Sequence, residues 1–144
     1  MKTLLRKEFN KLTLERFPNL YRPDSLPYIS GDTFRKFASH IFDETKSFNP
    51  KDVKNNEIIF INSELIEIFF KIQDPKIDSN YILISHNSDK TPTQKELSLI
   101  SDKVIHWFVQ NLNSSSLDRI SFIPIGLENK RWLKKGLTKS EYLI

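Results

Sequence analysis

The chain has 144 residues, of which 22 are basic and 18 acidic, for a net charge of +4, and it contains no cysteine. That length suits one domain with one core. The missing cysteines exclude a disulfide framework, a thiolate metal site and a cysteine nucleophile, and fit a reducing, cytoplasmic setting. No apolar run approaches the roughly 20 residues a membrane helix needs. The charged N-terminus lacks the apolar core of a secretory signal. With only three glycines, the chain has no material for G-x-G-x-x-G or a P-loop.

Residues 1–16 are expected to form a helix with Leu5, Phe9 and Leu12 on one side. Pro18, Pro23 and Pro27 then break the chain into an irregular lead-in that ends near residue 29. The stretch 30–44, SGDTFRKFASHIFDE, reads as a helix capped by Asp32, with Phe34, Phe37 and Ile41 on its inner face and His40 at the surface. A polar loop follows over 45–57. Ile58 to Ile61 has the continuous apolar character of a buried parallel strand. Asn62 or Ser63 caps the next helix, whose inward stripe would be Leu65, Phe69 and Ile72, and Pro75 closes the unit.

YILIS, residues 81–85, is a second buried strand. Thr91 with Gln94, or Thr93 with Glu96, opens a short helix that turns Leu97 and Ile100 inward. KVIHWFVQN, 103–111, and RISFIPIG, 119–126, read as third and fourth strands, with His106 in mid-strand. The link between them, NLNSSSLD, is short for a parallel crossover and fits either a tight crossover or a hairpin. The alternation predicts an α/β fold, a Rossmann-like three-layer domain with a mostly parallel central sheet of about four strands. The whole chain makes one domain: lead-in 1–29, α/β core 30–129, and basic tail 130–144.

Ligands of open α/β sheets bind beyond the carboxyl ends of the strands. Each predicted strand delivers polar groups there: Asn62 and Ser63; His86, Asn87, Ser88 and Asp89; Gln110 and Asn111; Glu128 and Asn129. A single such loop is explained by capping and turning, whereas four in series point to a polar ligand cleft. His86 is the candidate base, with Asp89 to orient it. Pro124 and Gly126 make a rigid turn that presents Glu128 and Asn129. Trp132, among basic residues, suits stacking on a sugar or a base. The spread of His40, His86 and His106 makes no metal set. No G-x-S-x-G elbow supports a hydrolase, and no recognised module supports nucleic-acid binding. The basic run Lys130, Arg131, Lys134, Lys135 and Lys139 reads as a solvated tail, or as a peripheral contact with phosphates or an anionic membrane face.

The ordered set GDTFR, YILISHNSD, IHWFVQN and IPIGLEN, with Trp132 nearby, resembles bacterial and viral glycosyltransferase-like proteins of the exostosin type. It covers roughly residues 28–132. The resemblance implies the acceptor-side, N-terminal half of a GT-B glycosyltransferase. His86 and Asp89 would be catalytic, and Asp32, Arg35, Asn87, Ser88, Gln110, Asn111, Glu128, Asn129 and Trp132 would bind substrate. It implies a saccharide acceptor; no cofactor or metal is expected. Because the motifs stop where such proteins continue into a donor-binding half, a separate donor-binding domain or a homo-oligomer would complete the site. The alternative is a saccharide- or partner-binding module without chemistry of its own.

Overall fold

A computed structural model describes residues 22–45, 48–113 and 118–129. The expected N-terminal helix over 1–16, the basic run and Trp132 lie outside the described residues. The protein is α/β, with a sheet of five parallel strands in sequential order: β1 (His40–Phe42), β2 (Glu57–Asn62), β3 (Tyr81–His86), β4 (Val104–Val109) and β5 (Ile120–Phe122). The sheet therefore has five strands rather than about four. The link from β4 to β5 is a parallel crossover of only ten residues, not a hairpin.

The extra strand comes from the segment read as one helix over 30–44. The helix α1 runs only over Gly31–Phe37 and stops at Ala38, which is extended. Ser39 N–H then donates to the Ile58 carbonyl at 2.9 Å, and His40, Ile41 and Phe42 pair with Ile59, Phe60 and Ile61. Three strand residues flanked by helix formers carry too little local signal, and the waiting edge of β2 decides the matter. Phe37 is consequently 60 % exposed rather than core. His40 is a half-buried strand residue whose Nε2 meets Glu57 Oε2 at 2.6 Å. Nor is Asp32 the cap. Ser30 is the extended residue whose Oγ accepts from Thr33 N–H, and Asp32 already sits in the first helical turn.

After β2, Asn62 accepts from Glu64 N–H and opens a helical stretch. That stretch passes through α2 (Ile66–Ile68) and widens into a π-helical turn over Phe69–Gln73. The wide turn alters the period expected of an α-helix. Ile66, Phe69 and Phe70 are buried, while Ile72 is about half exposed and Leu65 only partly covered. Pro75 lies in the closing 3₁₀ turn Asp74–Lys76. The last helix, α3 (Gln94–Leu97), starts at Thr93 in a full capping box with Glu96, so Thr93 rather than Thr91 is the cap.

One face of the sheet carries the main core. Ile59, Ile61, Tyr81, Leu83, Val104, Trp107 and Val109 alternate inward and pack against Ile66, Phe69, Phe70 and Ile77, with Leu97 and Ile100 at the margin. Burying each large side chain of this kind contributes about 1.5–3 kcal/mol. Buried polar groups within the core are paired. Trp107 Nε1–H donates to Ser85 Oγ at 2.9 Å, and Tyr81 O–H donates to Asp74 at 2.7 Å. Among the described residues, no helix is long and apolar enough to cross a membrane.

Candidate functional site

The parallel register brings the strand ends to one edge. Asn62 lies beside His86, and Ser85 beside Val109, which in turn pairs with Phe122. Beyond β5 the chain does not leave the sheet. Ile123 N–H donates to the Val109 carbonyl at 2.9 Å, the Pro124 carbonyl faces His86, and Leu127 N–H donates to the Ile29 carbonyl at 2.8 Å. Segment 123–129 thus crosses the edge from β5 back to the start of α1. It closes a cleft of about 410 Å³ lined by Gly31, His86, Asn87, Ser88, Asp89, Gln110, Ile125, Leu127, Glu128 and Asn129.

Asn87 is the hub. It takes the left-handed conformation at φ 65°, which asparagine tolerates better than most side chains. Its N–H donates to Gln110 Oε1 at 2.9 Å and lies 2.8 Å from His86 Nδ1. Its side-chain Nδ2–H donates to Asp32 Oδ1 at 3.1 Å, and its Oδ1 accepts from Asn129 Nδ2 at 2.9 Å. Asn129 completes a triangle by accepting from Asp32 N–H at 2.7 Å. Arg22 approaches the same Asp32 carboxylate at 3.4 Å and bonds Glu44 at 2.6 Å. Three segments far apart in sequence are tied here through one ring of side-chain amides and a buried carboxylate.

His86 is 2 % exposed. Burial, the largest influence on it, pushes its pKa below the ordinary 6.5, against weaker upward pulls from Pro124 and Asn87. Nδ1 lies 2.8 Å from the Asn87 N–H and 3.4 Å from Asn87 Oδ1, and the shorter contact makes it an acceptor. Nε2–H donates to the Pro124 carbonyl at 3.4 Å, and the Nδ1 lone pair faces the Asn87 N–H. The Phe34 ring lies against it, with centroids 5.5 Å apart. Ser63 Oγ–H donates to its backbone carbonyl at 3.4 Å.

Eight of the expected site residues come together at this edge. His86, Asn87, Ser88, Asp89, Gln110, Glu128 and Asn129 line the cleft, and Asp32 lies directly behind Asn87 and Asn129. Asp89 is exposed on the rim, and among the described residues no hydrogen bond joins it to His86. The Ser88 hydroxyl donates to Glu64. Asn111 stands outside the lining, where its amide reaches the Ser88 carbonyl at 3.5 Å. Arg35 faces away, in a buried ion pair with Asp43 at 2.7 Å and a 2.8 Å bond to Thr45. The Arg35 guanidinium and the Thr45 groups hold the Asp43 carboxyl below its ordinary pKa although burial pulls it up.

Gly31, Ile125 and Leu127 line the cleft but were not among the residues expected there, and Gly31 is the most constrained of the three. A Cβ at this position would lie 1.7 Å from Asn87 Oδ1 and 2.6 Å from His86 Nδ1. A glycine just inside a helix start, in a chain with only three glycines, was the available signal. Among the described residues, no group of three or more His, Asp or Glu side chains is placed to hold a metal ion. No family model, curated protein or solved structure matches the chain.

Proposed function

We propose that the cleft binds a saccharide, and that the protein is the acceptor-side domain of a glycosyltransferase-like protein. It would move a sugar from a nucleotide-sugar donor to a saccharide or lipid-linked acceptor. The observation that carries the reading is the convergence of amides, hydroxyls and carboxylates from the ends of β3, β4 and the segment after β5 on one cleft. Sugars present many hydroxyls that both donate and accept. Side-chain amides match both roles, and the rim carboxylates of Asp89 and Glu128 accept from them. The motifs that resemble the exostosin type fall on the same residues.

In the transfer step, the acceptor hydroxyl oxygen attacks the anomeric carbon of the donor. The bond from that carbon to the diphosphate oxygen breaks, and the nucleoside diphosphate leaves with the electron pair. The hydroxyl proton passes to Nδ1 of His86, which burial favours as the neutral imidazole, with the Asn87 N–H keeping its bond to Gln110 Oε1. A donor-binding domain, separate or from a second copy of this chain, would supply the nucleotide grip.

A second reading, saccharide binding without transfer, is favoured by the contacts of His86. Its Nδ1 lone pair already faces the Asn87 N–H, and its Nε2–H is directed at the Pro124 carbonyl. In that reading His86 holds the loop and orients Asn87.

The test is a titration of the ¹⁵N-labelled chain with methyl glycosides of glucose, galactose, mannose and N-acetylglucosamine. Shifts confined to the amides of residues 86–89, 110 and 125–129 are expected. If no sugar moves them, both readings fail. Incubation with UDP- and GDP-sugars, with the chain alone and with a donor-binding glycosyltransferase domain added, followed by mass spectrometry of the acceptor, separates the two. A hexosyl mass gain that His86→Ala abolishes supports transfer, and its absence with saccharide binding intact supports the second reading.

A further inference from the structure

The sheet has a second face. Side chains alternate along a strand, so the residues between the core positions point away from the core. The register sets them in two rows. Ile41, Phe60, Ile84, Phe108 and Ser121 are successive cross-strand neighbours in one, and Ile58, Ile82 and His106 in the other. Phe60 and Ile84 are buried, but Ile41, Ile58, Ile82 and Phe108 are only half-buried. All-parallel sheets carry cover on both faces. Here the strand order never reverses, and right-handed crossovers between strands in sequential order all fall on one side. The structure follows that rule. Phe48 before β2, Phe69 after it, Leu97 after β3 and Leu112 after β4 all pack against the core cluster. Cover from within the chain must therefore precede β1 or follow β5. Of the described elements, α1 reaches the second face, with Phe34 against His86. Its seven residues span about 10 Å, whereas five strands span about 19 Å.

We propose that residues 1–21 of this chain are the cover. The segment docks on the second face as an amphipathic helix, with Leu5, Phe9 and Leu12 against Ile58, Ile82 and Phe108. Length, pattern and attachment point agree. Sixteen helical residues reach about 24 Å, enough to cross five strands. The apolar positions recur at intervals of four and three, a single stripe, while Lys7, Lys11 and Glu15 fall outside it. The segment joins the described fold at Arg22, whose side chain is 5 % exposed and bonds Glu44 at 2.6 Å and Asp32 at 3.4 Å. Asp32 belongs to α1, so the segment ends beside the face it would cover. Segment 130–144 suits the role less well. It starts from Asn129 at the carboxyl edge, and Gly136 interrupts it. The seat also bears on the cleft. Asp32 accepts from Asn87 and its N–H donates to Asn129, so the docked segment, through Arg22, braces the hub from behind.

Because the chain has no cysteine, a single thiol can be placed at will. The experiment attaches a nitroxide to Arg6→Cys, on the flank of the stripe, and reads the ¹⁵N spectrum of the full chain. The amide signals of Ile58, Ile82, His106 and Phe108 are expected to weaken more than those of Ile66 and Phe69 on the core side. Reduction with ascorbate should restore them. Equal weakening on both sides, or none, overturns the proposal. Weakening of the second face by a label on Ser140→Cys, and not by one on Arg6→Cys, also overturns it and assigns the C-terminal segment instead. A mixture of ¹⁵N-labelled chain with spin-labelled chain at natural isotope abundance tests a second copy. Weakening in that mixture means that another molecule supplies the segment, and overturns the assignment to the same chain. Phe9→Ser gives a readout without a label. It should shift the four second-face signals and, through Arg22, that of Asp32, and signals that stay in place overturn the proposal. None of these outcomes depends on what the cleft binds.

Discussion

Replacing Gly31 by alanine is a sharp test of the Asn87 hub, because two opposing effects have different signs. In an ordinary helix the change stabilises by up to about 1 kcal/mol, through helix propensity and a less flexible unfolded chain. Here the new Cβ would sit 1.7 Å from Asn87 Oδ1, where real Cβ contacts essentially never fall below 3.0 Å. The amide oxygen must retreat by about 1.3 Å or more even to reach that limit, with the His86 ring also in the way. Such a shift breaks the 2.9 Å bond from Asn129 and the 3.1 Å bond to Asp32. Two hydrogen bonds at about 1 kcal/mol each, plus about 1–3 kcal/mol of overpacking, outweigh the helix gain. The net loss is about 2–4 kcal/mol. In urea this lowers the midpoint by about 1–2 M at an unchanged slope. The pair Gly31→Ala with Asn87→Gly, measured as a double-mutant cycle, should show coupling of about 1 kcal/mol or more, because the first clash is then removed. A Gly31→Ala protein as stable as the parent, or more so, with the amide signals of Asn87 and Asn129 unmoved, would refute the reasoning.

The remaining predictions concern the supports of the cleft. Gly126→Ala forces a Cβ onto a backbone carbonyl from a left-handed residue; it should cost more than about 2 kcal/mol and scatter the amide signals of 123–129, and a neutral outcome would show that the segment does not cross to Ile29 as described. Ser85→Ala leaves the buried Trp107 N–H without its acceptor and should lower stability by about 1–3 kcal/mol in urea melts, with near-UV circular dichroism reporting the indole. Arg35→Met strands the Asp43 carboxylate and should cost about 3–5 kcal/mol, while the Arg35→Met, Asp43→Leu pair recovers most of it. His86 has a folded pKa below its unfolded value of 6.5, so the unfolded chain takes up the proton first as pH falls. Its contribution is complete above that value and is lost as pH drops toward the folded pKa. Between pH 7.5 and 5.5 the stability gap between parent and His86→Gln should narrow, and a gap that stays constant or widens would contradict a buried neutral imidazole.

Strong local patterns were legible from residues alone. YILIS read as a buried strand and KVIHWFV as a strand, and their order with the intervening caps implied a parallel α/β sheet, as did the short apolar run before Asn62. Parallel pairing then obliges successive strands to end at one edge. The polar residues after each strand therefore formed a group before any contact was known, and Asn87, Gln110, Glu128 and Asn129 do share a cleft. Glycine scarcity and the absence of cysteine were equally decisive about which chemistries had no material.

What tertiary structure decided were the matters that local energy leaves nearly balanced. His40–Phe42 became a strand because the edge of β2 offered hydrogen bonds that the helix could not match. Arg35 left the ligand edge because a buried arginine needs a carboxylate, and Asp43 was within reach. Asp32 exchanged a cap's role for that of a tie between Asn87 and Asn129, partners 55 and 97 residues away. No periodicity encodes a contact at that separation. It exists because segment 123–129 folds back over the sheet edge, and Gly31 and Gly126 are the two positions where that close approach leaves no room for a side chain.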